Sequence, residues 1–147
     1  MNRACISDNF LPDGERAGLY YLPAERSENL AQQARQYGFH FLTADLSACR
    51  TTAEALRELG RAFAFPEWYG ANFDALLDCL TDPDWLTAPG QILLVSGFAS
   101  LRRSIGKELS TLLEVLAAAA EERKATAHPL WILIDAPARG IAPCPGA

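Results

Sequence analysis

The chain is 147 residues long, 50% apolar and 21% charged, values that suit one globular domain with its own core and exclude an intrinsically disordered chain. Its apolar runs stop well short of the roughly eighteen residues that span a bilayer, and MNRACISDNF at the start lacks the continuous apolar stretch of a secretory signal, so a cytoplasmic protein is expected. The net charge of −5 is unevenly placed. From Phe65 to Thr87 stand five acids, Glu67, Asp74, Asp78, Asp82 and Asp84, with no Lys or Arg; the rest of the chain holds thirteen acids against thirteen bases. A patch of one sign repels polyanions, so direct nucleic-acid binding is not expected and a basic partner or a cation is favoured.

In chain order, Gly18 to Leu22 reads as a short strand and Ser27 to Tyr37 as a helix with Leu30, Ala34 and Tyr37 on one face and Gly38 as its stop. Phe39 to Leu46 alternates as a strand buried on at least one face. Thr51 and Glu54 have capping-box spacing, and Leu56, Leu59 and Phe63 then recur at helical intervals up to Pro66. Asn72 can cap a helix with the apolar stripe Phe73, Leu76, Leu77 and Leu80, ended by Asp82-Pro83. Gln91 to Ser96 and Leu130 to Asp135 are unbroken apolar runs bounded by Pro and Gly, as in central strands. Between them lies a long helical stretch with Ile105, Leu109, Leu112, Leu113 and Leu116 on one face, broken near Gly106.

Alternating strands and helices predict an α/β layered fold with a mainly parallel sheet of about three to four strands, packed by helices on one or both faces. Residues 1–38 read as an N-terminal β-α extension packed on the same domain, 39–136 as the main domain, and 137–147, rich in Pro, Gly and Ala, as a loose tail.

The chemistry-bearing residues form a short set. Dinucleotide, P-loop and hydrolase-elbow motifs are absent from the sequence. His40 and His128 stand far apart without zinc-ligand spacing, and read as structural or surface histidines. Cys5, Cys49, Cys79 and Cys144 lie at wide intervals with no C-x-x-C pair, as reduced thiols do; Asp78 beside Cys79 disfavours a thiolate nucleophile. Asp74 and Asp78, four apart on the helix, point the same way, and Asp82 and Asp84 crowd the loop beyond. Asp74 has the helix dipole in its favour; Asp78 does not. A solvated acidic face, oxygen ligands for a hard cation, or a docking surface for a basic partner would each account for them. Asp82-Pro-Asp84-Trp85 lacks the glycine and distal glutamate of a calcium loop. Trp68 and Tyr69 ahead of the helix, and Trp85 behind it, favour a protein-binding surface over a metal site, although tryptophans that roof the core would read the same.

The string Pro66-Glu-Trp-Tyr-Gly-Ala-Asn-Phe-Asp-Ala-Leu-Leu-Asp-Cys-Leu-Thr81 closely resembles the signature of the barstar family, small cytoplasmic proteins that plug the active site of barnase-type ribonucleases. Tyr-Gly, the capping Asn72, both aspartates and the Asp-Cys-Leu-Thr end match in register, and a weaker likeness extends over roughly Phe39 to Ala136. The resemblance implies a non-catalytic, one-to-one inhibitor that is monomeric when free and uses no cofactor or metal. Asp78 would take the place of the RNA phosphate in a basic, guanyl-preferring ribonuclease, and Asp74 would meet basic and backbone donors nearby. By the same likeness Trp68 would stack over the nuclease site and Gly70 would permit close backbone approach, while Asn72, Leu77 and Thr81 would line the contact surface. A glutamate that the family carries late in its last helix falls on Ala118, with Glu121 one turn further on; Asp82 and Asp84 in a lengthened loop are candidates to replace it. Competing readings are a metal-dependent phosphoryl-transfer or hydrolytic enzyme built on the Asp cluster, and a module of this fold with a basic target other than a ribonuclease.

Overall fold

The computed structural model describes residues 10, 11 and 13–145. Its frame is a five-stranded, wholly parallel sheet in the order β2-β3-β4-β1-β5: β1 (Leu19–Tyr21), β2 (His40–Asp45), β3 (Gln91–Ser96), β4 (Leu130–Ile134) and β5 (Ala142–Pro143). Central β3 and β4 are the two continuous apolar runs, as expected of parallel strands covered on both faces. Register pairs Leu42 with Leu93 and Leu93 with Ile132, so one face of the sheet carries a contiguous aliphatic layer.

Four helices cover that face: α2 (Thr52–Ala62), α3 (Phe73–Thr81), α4 (Phe98–Ile105) and α5 (Glu108–Lys124). Leu56, Leu59, Leu76, Leu80, Leu101, Leu112 and Leu116 meet Leu93, Val95, Ile132 and Ile134 in the main core. Gly106, at φ 58°, makes the turn between α4 and α5 that the sequence predicts. On the opposite face α1 (Ser27–Gln36) and the segment before β1 bring Phe10, Leu11, Leu30 and Ala34 onto Ile92, Trp131 and Leu133. The N-terminal unit thus supplies both a strand of the sheet and the cover of its second face. Among the described residues no helix is long and apolar enough to cross a membrane.

Two sequence expectations change. The sheet has five strands because the segment expected to be a loose tail forms β5, which pairs with β1 through Tyr20–Ala142 and Tyr21–Pro143. The Cys144 amide donates to the Tyr21 carbonyl at 2.7 Å, Arg26 Nη1 donates to the Cys144 carbonyl at 3.1 Å, and the Cys144 side chain is buried. A two-residue strand has no periodicity to read, so composition alone pointed the wrong way. Cys5 lies outside the described residues; Cys49, Cys79 and Cys144 are free and buried.

A candidate acidic binding surface on α3

The segment before α3 is held from behind. Tyr69 donates from its hydroxyl to the Leu56 carbonyl at 2.7 Å, packs edge-on against Phe65 and lies over Gly60, where a Cβ would come within 2.5 Å of its ring. With Tyr69 turned inward, its neighbour Trp68 points outward and is 56% exposed. Ala71 then adopts a left-handed conformation (φ 52°), and Asn72 caps α3, its Oδ1 accepting from the Ala75 amide at 2.8 Å. A Cβ on Gly70 would meet Asn72 Nδ2 at 3.1 Å, so the small residue leaves room for the cap.

Helix α3 buries Leu76, Cys79 and Leu80 and turns Asp74 and Asp78 to solvent. Phe73 and Leu77 are half-buried rather than central, because Cys79 takes the place on the buried side that a Phe73-based stripe predicts for them. Thr81 spends its hydroxyl on the Leu77 carbonyl at 2.8 Å. Burial, and then the charges of Asp82 and Asp78, push the Cys79 thiol up to about 11, so it is protonated at neutral pH and unsuited to nucleophilic chemistry.

Beyond α3 the acidic loop is shaped from within. Asp82 Oδ1 accepts from the Asp84 amide at 2.8 Å, an Asx turn that leaves Asp84 exposed and Asp82 half-buried. Trp85, a candidate for the contact surface, is instead buried at 9% exposure; its indole donates to the Phe63 carbonyl at 2.9 Å and packs against Phe63 and Phe65. A tryptophan whose N–H finds a carbonyl partner inside the fold gains more from burial than from exposure.

The residue that organises this loop is one the sequence reading passed over. Arg123, near the end of α5, is 3% exposed, and its guanidinium donates to four carbonyls: His128 at 2.9 Å, Leu80 at 3.2 Å, Trp85 at 3.2 Å and Leu86 at 2.8 Å. It also sits 5.6 Å from the Trp85 ring. Burial lowers its affinity for the proton, and the nearby Asp82 carboxylate works the other way. In sequence, Arg123 hides in Glu121-Glu122-Arg123-Lys124, which looks like a solvated charge run. It nonetheless falls seven residues after buried Leu116, on the apolar stripe of α5, and that offset was the available signal. His128 adds a second tie. Its Nδ1 lies 3.0 Å from the Ala88 carbonyl, which can only accept, so Nδ1 carries the proton there. His40 Nδ1 meets Gln91 Oε1 at 3.0 Å, so both histidines have structural partners.

The surface therefore gathers Trp68, Gly70, Asn72, Asp74, Asp78 and Asp84 as exposed groups, with Leu77, Thr81 and Asp82 half-buried among them. Among the described residues none of these aspartates enters an ion pair, and no set of three His, Cys, Asp or Glu side chains converges as metal ligands would. Ala118 is exposed, and Glu121 is paired with Lys124 at 3.8 Å. Such a face offers unneutralised acceptors and an aromatic anchor, the chemistry with which a protein surface receives Arg, Lys and His.

The family model described as Barstar (barnase inhibitor) matches residues 39–135, from the start of β2 to the end of β4, and the chain belongs to this family. A relative from Bacillus subtilis (strain 168), named "Putative ribonuclease inhibitor YrdF", is 40% identical over 60 residues, which make up 41% of this chain; the match spans 63% of that relative's length. Strands β1 and β5 and helix α1 lie outside the family match.

Proposed function

We propose that this protein is a stoichiometric inhibitor of a barnase-type, guanyl-preferring ribonuclease, acting in the cytoplasm without catalysis of its own. The observation that carries this reading is α3 itself: Asp74 and Asp78 stand exposed and unpaired one turn apart, Trp68 is exposed ahead of them, and Asp84 follows. Family membership and the relative's name support a ribonuclease as the partner. Asp78 would take the site of the RNA phosphate, accepting charge-assisted hydrogen bonds from the nuclease's cations in a space closed to water. Asp74 would meet basic and backbone donors beside it, while Trp68 covers the rim and Gly70, Asn72, Leu77 and Thr81 complete the fit.

Isothermal titration of the protein into a catalytically inactive barnase-type ribonuclease at two salt concentrations tests the proposal. One-to-one binding that weakens with salt, and by at least about 2 kcal/mol in Asp78→Ala, is the expected result. Tight binding untouched by Asp78→Ala would reject this surface. Failure to bind would shift the assignment to a basic partner that is not a ribonuclease, since inhibitors of this kind discriminate between targets.

A further inference from the structure

A second site of opposite charge lies beyond the carboxyl end of β4. There residues 137–139 leave the sheet beside the turn between α4 and α5, and a groove of about 660 Å³ opens between them. Arg102, Lys107 and Arg139 line it, Leu113 and Pro137 supply its exposed apolar surface above the buried Leu109, and no carboxylate is among its lining residues. Arg102 Nη2 donates to the Pro137 carbonyl at 2.5 Å, which ties one wall to the other. Among the described residues none of the three cations forms an ion pair. Three like charges around one groove repel each other unless an anion joins them, and this concentration occurs in a chain whose net charge is −5.

The place and size fit a ligand site. Open parallel α/β sheets bind ligands outside the carboxyl ends of their strands, and small-molecule pockets run from roughly 300 to 1,000 Å³. The groove also has a direction. A smaller recess of about 240 Å³ shares Ser110, Leu113 and Arg139 with it and reaches Ala117, and there Glu114 stands in the wall. Negative charge is therefore favoured at the Lys107 end and disfavoured toward Glu114, while Leu113 offers apolar contact between them.

We propose that this groove binds a small amphipathic anion: an oxyanion, carboxylate or phosphate, held by Arg102, Lys107 and Arg139, on an apolar body laid along Leu113 and Pro137. The site stands independently of the inhibitor reading. Amide chemical shifts of the full-length ¹⁵N-labelled protein, followed during titration with octanoate, octyl phosphate, octanol and inorganic phosphate, test it. Saturable shifts around Lys107, Ser110 and Arg139 with octanoate or octyl phosphate are expected, and the tighter of the two identifies the oxyanion. Affinity should fall by at least about tenfold in Lys107→Glu/Arg139→Glu, which at two exposed positions should keep the parent's circular dichroism spectrum, and stay unchanged in Asp78→Ala. Three results would overturn the site: no saturable shift with either amphiphile at millimolar concentration, octanol binding as tightly as octanoate, or the double variant binding like the parent. Inorganic phosphate binding as tightly as octyl phosphate would remove the apolar half of the proposal.

Discussion

Single residues decide how firmly the acidic surface is held. Arg123 satisfies carbonyls of Leu80, Trp85, Leu86 and His128 with one side chain, so Arg123→Met would leave several buried acceptors unpaired. A loss of about 3 kcal/mol is expected in urea unfolding, with faster hydrogen exchange from Asp82 to Ala88. Arg123→Lys should recover only part of it, because an ammonium lacks the planar fork that reaches carbonyls on separate segments. Ala64 illustrates the opposite case. The end of α2 is a Schellman motif, with Phe65 N–H on the Gly60 carbonyl and Ala64 N–H on the Arg61 carbonyl, yet its left-handed residue (φ 55°) carries a Cβ. The end of α1 makes the same pair of bonds around Gly38 at φ 69°. Ala64→Gly should therefore stabilise the protein, by up to about 1 kcal/mol in the urea midpoint, since relief of the left-handed strain outweighs the added freedom of the unfolded chain.

Among the elements, α3 works because its two sides differ so sharply: Leu76, Cys79 and Leu80 fix it to the core, and the carboxylates remain in water. β5 has a chemical reporter of its own. Burial pushes the Cys144 thiol up to about 12, opposed by Arg26 and Arg16, against an ordinary 9.0. The folded chain thus keeps this proton to a higher pH than the unfolded chain. Its contribution to stability is complete below pH 9 and declines as the pH climbs toward 12. The difference in urea midpoint between the parent and Cys144→Ala should be constant from pH 6 to about 8.5 and shrink above it. In a Cys5→Ser background at neutral pH, modification of Cys144 by a thiol reagent should be slow and quicken when β5 is released by Arg26→Ala, which removes the bond to the Cys144 carbonyl.

At the scale of the whole molecule, charge and apolar cover are distributed between distinct regions. The excess acids lie on α3 and in the segments on either side of it, so association with a basic partner should slow steeply as salt rises while dissociation changes little, which stopped-flow fluorescence can follow through Trp68. The second face of the sheet depends on residues outside the family match. Removing residues 1–38 would take away β1 and α1 and expose Ile92, Trp131 and Leu133 to water. The truncated chain is expected to unfold or self-associate in analytical ultracentrifugation, even though the entire α3 surface is retained.

How far the sequence could be read follows from where the signals reside. Periodicity and capping are local: the Gln91–Ser96 strand, the Thr51 and Asn72 caps and the break at Gly106 were legible because each is set by residues within a turn or two of each other. The outward placement of Asp74 and Asp78 was equally local, since helical spacing puts them opposite Leu76 and Leu80. What sequence could not decide were choices made between distant segments. Trp85 and Trp68 are the same residue type at the edges of the same helix, and only the Phe63 carbonyl, waiting 22 positions away, draws one of them inside. Arg123 looks like any exposed arginine until four carbonyls from other segments converge on it. The tail becomes a strand because β1 leaves an unpaired edge beside it. Local chemistry thus determined the elements and the acidic face by itself, whereas the tertiary structure decided which polar groups found partners, because hydrogen bonds and burial depend on the meeting of segments that no window of sequence contains.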